Sequence, residues 1–211
     1  MTASTDRASP LSGWNKAFTR ASASPAAFSI RERPFTTQVN LRGDPSDPAF
    51  IAAVQAAIGC ELPPKANTFT RSGSVNLIWL GPNEWLAVDG PDRGEAIFGA
   101  LRKSLAGIHA SVTDVSAART VIEIAGSDAR LMLAKGCPLD VHAGVLAPPR
   151  AAQTVLAKAH VILQCTDASP VFRLFVRDSF ADYLARWLTD AAQECAASRS
   201  LDTNRIAARL D

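Results

Sequence analysis

Long apolar runs are missing from this 211-residue sequence. Without a stretch of about eighteen such residues, no helical membrane span is expected. Met1 to Pro10 lacks a basic start leading into an apolar segment, so no secretory leader is expected and the cytoplasm is the default compartment. Cysteine is scarce: Cys60, Cys137, Cys165 and Cys195 are scattered, with no C-x-x-C pair to suggest zinc or redox chemistry. Free, partly buried thiols suit a reducing compartment. His109, His142 and His160 lie far apart, without H-E-x-x-H or another compact metal spacing. His160 sits in a strand pattern, where a packed or surface histidine is the expectation. No G-x-G-x-x-G follows a strand, and neither a P-loop nor a G-x-S-x-G elbow occurs. Dinucleotide binding, phosphate cradling and an elbow-type nucleophile therefore have no anchor.

Charge of one sign is lacking too. The formal net charge of +2 is too small to argue for nucleic acid or an anionic membrane. Basic residues are not interleaved with aromatics as a single-strand nucleic-acid platform requires. Arg173, Arg177 and Arg186, near the last strand and helix, read as a solvated face. What is present is ordinary globular material, 47% hydrophobic and 20% charged, enough for one domain or two small ones.

Residues 1–34 are rich in Ser, Ala, Thr and Arg and read as an extended or partly disordered arm. Trp14 and Phe18 stand at helical spacing there, which suits a short partner-docking helix or a loosely tethered tail. Thr37 to Leu41 alternates like a half-buried strand. Asp47-Pro48 reads as an N-cap followed by Pro at the first helical position, and Phe50, Ile51, Val54 and Ile58 continue a stripe closed by Gly59. Leu62 to Gly73 reads as a loop. Asp92 opens a second helix through Ile97, Leu101 and Leu105, and Ser111 to Ser116 is a further strand. The second half gives a strand at Arg119 to Ala125, a helix at Ser127 to Lys135, and a Pro-containing loop at Gly144 to Arg150. Strands follow at Ala152 to Leu156, His160 to Cys165 and Val171 to Val176. A last helix starts near Ser179, its stripe being Phe180, Leu184, Trp187, Leu188, Ala191 and Cys195. Residues 198–211 read as a short helix or a frayed tail. The fold class is α+β: two ferredoxin-like βαββαβ-type units with antiparallel sheets, halves 35–117 and 118–197 of one region 35–197.

The centre of this pattern is Trp79-Leu80-Gly81-Pro82-Asn83-Glu84-Trp85-Leu86. Gly-Pro-Asn is turn chemistry and its flanks are β-formers, so the segment reads as a hairpin. Each indole can remove ~200 Å² from water, an upper-bound gain near ~5 kcal/mol. The hairpin is thus central to a core or part of a partner-facing patch.

This stretch resembles the signature of the gamma subunit of heterotetrameric sarcosine oxidase. Further matching stretches follow the order of that family. They are Gln38 to Gly43, Asp114-Val115-Ser116 with Arg119, Leu133 to Asp140, and Ser179-Phe180-Ala181 leading into Tyr183-Leu184 and Trp187-Leu188. The likeness spans Phe35 to Glu194 and implies a fold similar to the folate-binding aminomethyltransferases. It further implies a non-catalytic subunit of a complex that oxidises sarcosine to glycine. That complex yields hydrogen peroxide and either formaldehyde or 5,10-methylenetetrahydrofolate. FAD, FMN, NAD, tetrahydrofolate and zinc are then expected on other subunits, and none on this chain. The partners implied are the alpha, beta and delta subunits, chiefly alpha, with no nucleic acid and no membrane.

Candidate reactive groups are weak by comparison. Lys135-Gly136-Cys137 is similar to a motif of related folate-dependent iron–sulfur assembly proteins. A helix C-terminus is nevertheless the wrong pole for a thiolate, and a helix stop with a buried cysteine is expected. Asp114 and Arg119 bracket a strand junction and are expected to form an ion pair, the alternative being that Arg119 clamps a carboxylate of folate or a partner. Glu84 beside Trp85 is expected to stay solvated. No catalytic, cofactor-binding or metal residue is assigned; Trp79, Gly81, Pro82, Glu84, Trp85, Asp114 and Arg119 are the interface or structural candidates. The rival readings are a stand-alone folate-binding one-carbon protein, which on this length would lack the additional C-terminal domain, and a small-ligand regulatory module.

Overall fold

The structure, a computed structural model, describes residues 7–22 and 27–207, with side chains described through Glu194. The readings of residues 1–6, 23–26 and 208–211, and that of the Cys195 side chain, lie outside the described residues. In chain order the elements are a 3₁₀ turn, α1 (Asn15–Ala21), β1 (Ser29–Arg33), β2 (Thr36–Arg42), α2 (Pro48–Ile58), β3 (Phe69–Ser72), β4 (Val75–Gly81) and β5 (Glu84–Pro91). Then come α3 (Gly94–Ser104), β6 (Ser111–Asp114), β7 (Arg119–Ala125), α4 (Ala129–Ala134), β8 (Ala151–Leu156), β9 (Ala159–Asp167), β10 (Val171–Arg177) and α5 (Asp178–Ala207).

Local chemistry explains the boundaries. Asp47 Oδ1 accepts the N–H of Ala49 at 2.9 Å with Pro48 in the first helical position, and Gly59 closes α2 in the left-handed region at φ 65°. Asp92 does not cap α3; it adopts φ 59° just before the helix, whose N-cap is Arg93. The stretch read as a loop from Leu62 to Gly73 contains β3, held by Phe69↔Ile78 and Ser72↔Val75 pairing. Pro63-Pro64 hides its short alternation.

Two antiparallel five-stranded sheets result, ordered β3-β4-β5-β2-β6 and β1-β7-β10-β9-β8. The orders correspond position by position. β2 and β7 are the second strands from one edge, each followed by a helix, an edge strand, two further strands and another helix. In the first unit β6 closes the sheet after that helix. In the second unit the corresponding place beside β7 is taken by β1, registered Ser29↔Ala125 through Arg33↔Val121. The segment read as an arm therefore completes the second sheet. Its helix is equally committed: Leu11 is 0% and Phe18 3% exposed, packed in the core of the second unit. Long-range pairing of this kind leaves no trace in local periodicity.

Each sheet carries its helices on its outer face. Phe50, Val54, Ile97 and Leu101 cover Val39, Leu41, Leu77, Trp85 and Ala87. On the other sheet, α4 and α5 cover Ile122, Ile124, Leu163, Phe172 and Leu174. Along α5 the expected Leu184, Leu188 and Ala191 are buried, joined by Ala181, Ala185 and Ala192, and Trp187 packs against the core, whereas Phe180 is 40% exposed. The helix continues to Ala207, which favours the helical of the two readings of the segment after residue 197. The inner faces of the sheets meet in a third cluster, with Ile78, Leu86, Val88, Val121, Ile162 and Phe175 at its centre. That inner layer is only partly apolar: Gln38, Asn76, Glu123 and Gln164 are buried polar residues.

Candidate functional site

The β4–β5 hairpin turns through Pro82-Asn83, with Trp79↔Trp85 and Gly81↔Glu84 paired and an irregularity between them. Its two indoles have different fates. Trp85 is 2% exposed and lies 5.7 Å from the ring of Phe50, centroid to centroid. Trp79 is half-buried at the margin of the same cluster. Beside it runs an open groove of about 540 Å³, bordered by Pro45, Ile51, Leu62, Pro63, Pro64 and Pro82. Directly paired, the two indoles share one face of the hairpin, which anchors the core at Trp85 and borders the groove at Trp79. The Trp85 Nε1–H has no acceptor among the described residues.

Glu84 is not simply solvated. Its Oε1 accepts from Asn40 Nδ2 at 2.8 Å and its Oε2 from Arg42 at 2.7 Å. Asp114 and Arg119 do not pair. Asp114 Oδ1 instead accepts the Ser116 N–H at 2.9 Å and its hydroxyl at 2.6 Å. Ser116 Oγ in turn accepts the Gln38 N–H at 2.9 Å, and Gln38 Nε2 donates to the Arg119 carbonyl at 2.8 Å. This relay fixes the junction between the two units, because a short Asx turn satisfies Asp114 before Arg119 comes within reach. The Arg119 guanidinium is lowered from its ordinary pKa by burial and by Arg177, an effect that Glu84 partly offsets.

Lys135, Gly136 and Cys137 are structural. Lys135 Nζ donates to Glu194 at 2.7 Å and to the Ala191 carbonyl at 3.1 Å, tying α4 to α5. A β-carbon at Gly136 would lie 2.7 Å from Cζ2 of Trp187, so glycine permits that contact. Cys137 is buried with its sulfur 3.9 Å from Thr154 Oγ1. His109, His142 and His160 are all exposed, and no metal-competent group of His, Cys, Asp and Glu occurs among the described residues.

A second place was missed in the sequence. At one end of the inter-sheet layer an open cleft of about 890 Å³ contains Arg31, Arg33, Arg71, Glu123 and Arg173. Arg31 and Arg173 flank Glu123 directly across adjoining strands. Arg31 Nε donates to Glu123 Oε1 at 2.8 Å, while Arg33 and Arg173 each reach Oε2 at 3.3 Å. Arg71, on the facing sheet, donates to Asn76 Oδ1 at 3.1 Å and to the Thr166 carbonyl at 3.3 Å. Burial works to raise the Glu123 carboxyl, but the three arginines outweigh it and hold its pKa below the usual range. Arg173 is lowered by burial and by the repulsion of Arg33 and Arg71. Arg173, Arg177 and Arg186 therefore do not share one solvated face. Arg173 enters the cleft, Arg177 is exposed, and Arg186 pairs with Asp182 at 2.8 Å over the ring of Trp14. The legible signal was a charge inside each of two apolar strands, Glu123 and Arg173, with Arg31 and Arg33 at strand spacing.

Comparison with known proteins gives one consistent result. The sequence matches the model of the "Sarcosine oxidase, gamma subunit family" over residues 42–194. It is 36% identical over 171 residues to sarcosine oxidase subunit gamma of Arthrobacter sp, covering 81% of this chain and 82% of that protein. To sarcosine oxidase subunit gamma of Corynebacterium sp. (strain U-96) it is 35% identical over 175 residues, 82% of each. A chain of the heterotetrameric sarcosine oxidase from Corynebacterium sp. U-96, solved in complex with pyrrole 2-carboxylate, superposes with a TM-score of 0.82. That match has 34% identity and covers 89% of this chain and 95% of that one. The glycine cleavage aminomethyltransferase T from Bartonella henselae is similar in fold alone, with 16% identity and a TM-score of 0.58. It covers 82% of this chain and 48% of that one. The chain belongs to the sarcosine oxidase gamma subunit family.

Proposed function

We propose that this chain is the gamma subunit of a heterotetrameric sarcosine oxidase and acts there by shape and support. The observation that carries this reading is the match to a chain of such a heterotetramer over nearly its whole length. A second observation supports a supporting role. Several residues that carry the family likeness are spent on the fold: Trp85 in a core, Ser116 and Asp114 at the unit junction, Gly136 under Trp187. In this reading the complex demethylates sarcosine oxidatively to glycine with hydrogen peroxide, and the one-carbon unit leaves as formaldehyde or 5,10-methylenetetrahydrofolate. FAD, FMN, NAD, tetrahydrofolate and zinc belong to the other subunits. The partners are alpha, beta and delta, with alpha the main neighbour, and the Trp79–Pro82 face and its groove form the docking surface. No helix among the described residues is long and apolar enough to cross a membrane; the compartment in this reading is the cytoplasm.

Co-purification of the native protein tests the reading. Flavin absorbance is expected in the complex, and the isolated chain is expected to be colourless. Tightly held flavin on the isolated chain, or micromolar binding of tetrahydrofolate by it, would overturn the proposal and favour a stand-alone one-carbon protein.

A further inference from the structure

Four arginines and four acids, Glu32, Asp89, Glu123 and Asp167, line the cleft. Arg31 donates to Glu123 from two nitrogens and Arg33 and Arg173 from one each. Those four contacts fill the acceptor sites of one carboxylate. A guanidinium has five N–H donors, so most donors of Arg33 and Arg173 remain for another acceptor. Arg71 brings a fourth cation from the facing sheet, near enough for its charge to act on Arg173.

The acids at the rim are occupied elsewhere. Glu32 points to the opposite face, where Ser9 and Thr120 donate to it. Asp89 Oδ1 accepts the Gly90 N–H at 2.7 Å, while its buried Oδ2 has no hydrogen bond and faces Arg93 at 3.5 Å. Asp167 accepts the Ser169 N–H at 2.9 Å. Among the described residues, Glu123 is thus the one acid of the cleft that pairs with its arginines, and its acceptor sites are filled. The cleft's volume of about 890 Å³ lies in the range of small-molecule sites. Arg173 is a good anchor, because its side chain is only 20% exposed and its orientation is set by the Glu123 contact. A planar fork of this kind matches a carboxylate in two-point contact.

We propose that this cleft binds a small organic polycarboxylate, with one carboxylate received between Arg173 and Arg71 across the two sheets. Such a ligand would tie the second sheet to the first at the edge where their apolar contact ends. The inference stands apart from the subunit reading, since it concerns only groups of this chain.

Calorimetric titration of the full chain with citrate, glutarate and inorganic phosphate, at an ionic strength held constant with sodium chloride, tests it. Saturable one-to-one binding of citrate or glutarate is expected. Arg71→Met, on an exposed edge strand, should weaken it roughly tenfold, while Lys103→Met on α3 should leave it unchanged, circular dichroism confirming that both variants fold. The proposal falls if no probe shows saturable binding at millimolar concentration. It also falls if phosphate binds and neither carboxylate does, or if the two variants weaken binding equally.

Discussion

The ring of Phe50 lies against Gly43, so closely that a β-carbon on that glycine would sit 2.2 Å from Cε2. The same glycine donates its N–H to the Asn83 carbonyl at 3.2 Å, inside the hairpin turn. Gly43 thus couples α2 to the hairpin through its lack of a side chain. Gly43→Ala should displace Phe50 from Trp85 and cost about 1–3 kcal/mol. Scanning calorimetry should show a fall in Tm of several degrees; an unchanged Tm would mean that Phe50 moves aside freely.

Trp85 and Trp79 separate folding from assembly. Trp85→Ala empties a fully enclosed site and should cost about 3–5 kcal/mol. Trp79→Ala, at a half-exposed position, should cost under about 1 kcal/mol yet reduce recovery of the chain with its partners. Denaturant titration beside co-purification of each variant reads both effects. Undiminished recovery of Trp79→Ala would remove the hairpin face from the docking surface.

Leu11 and Phe18 test the role of the N-terminal segment. Both lie in the core of the second unit, so Leu11→Ala should cost about 2–5 kcal/mol. Removing residues 1–34 takes away the edge strand paired to β7 and should unfold the second unit. Heteronuclear NMR would register that as loss of dispersed signals from residues 119–194. A truncated chain with those signals intact would make the segment a dispensable arm.

Glu123 gives a pH dependence of definite sign. Its carboxyl pKa is lowered in the folded chain, so below the ordinary glutamate value of about 4.3 the unfolded chain takes up the proton first. The stability it contributes is present above that value and is lost as pH falls through the folded one. Denaturant titrations from pH 7 to pH 3 should therefore show a shallower acid loss for Glu123→Gln than for the parent. Equal slopes would mean that the arginines do not hold the carboxylate.

Much of the fold was legible because strong local signals coincide with long elements. Asp47-Pro48 and Gly59 bound α2, and Gly-Pro-Asn marks the hairpin. What escaped were features fixed by distant partners. β1 has only Ile30 as an apolar residue and gains its place from β7, some ninety positions on. β3 is four residues long beside two prolines. The arginine cleft required knowing that Arg31 and Arg173 flank the same glutamate, which a single sequence does not disclose. Nearness in sequence makes Asp114 and Arg119 look like partners, but an Asx turn two residues long competes better than an ion pair across the junction.

The borrowed edge strand sets a schedule for biosynthesis. Ser29–Arg33 leaves the ribosome long before β7 exists, and at about 5–20 residues per second the wait lasts several seconds or more. A nascent strand exposed for that time invites wrong pairing, and frequent charge is the usual deterrent. Three of its five residues, Arg31, Glu32 and Arg33, are charged. The arginines that later face the cleft thus also keep an unpaired ribbon soluble until its neighbour is made.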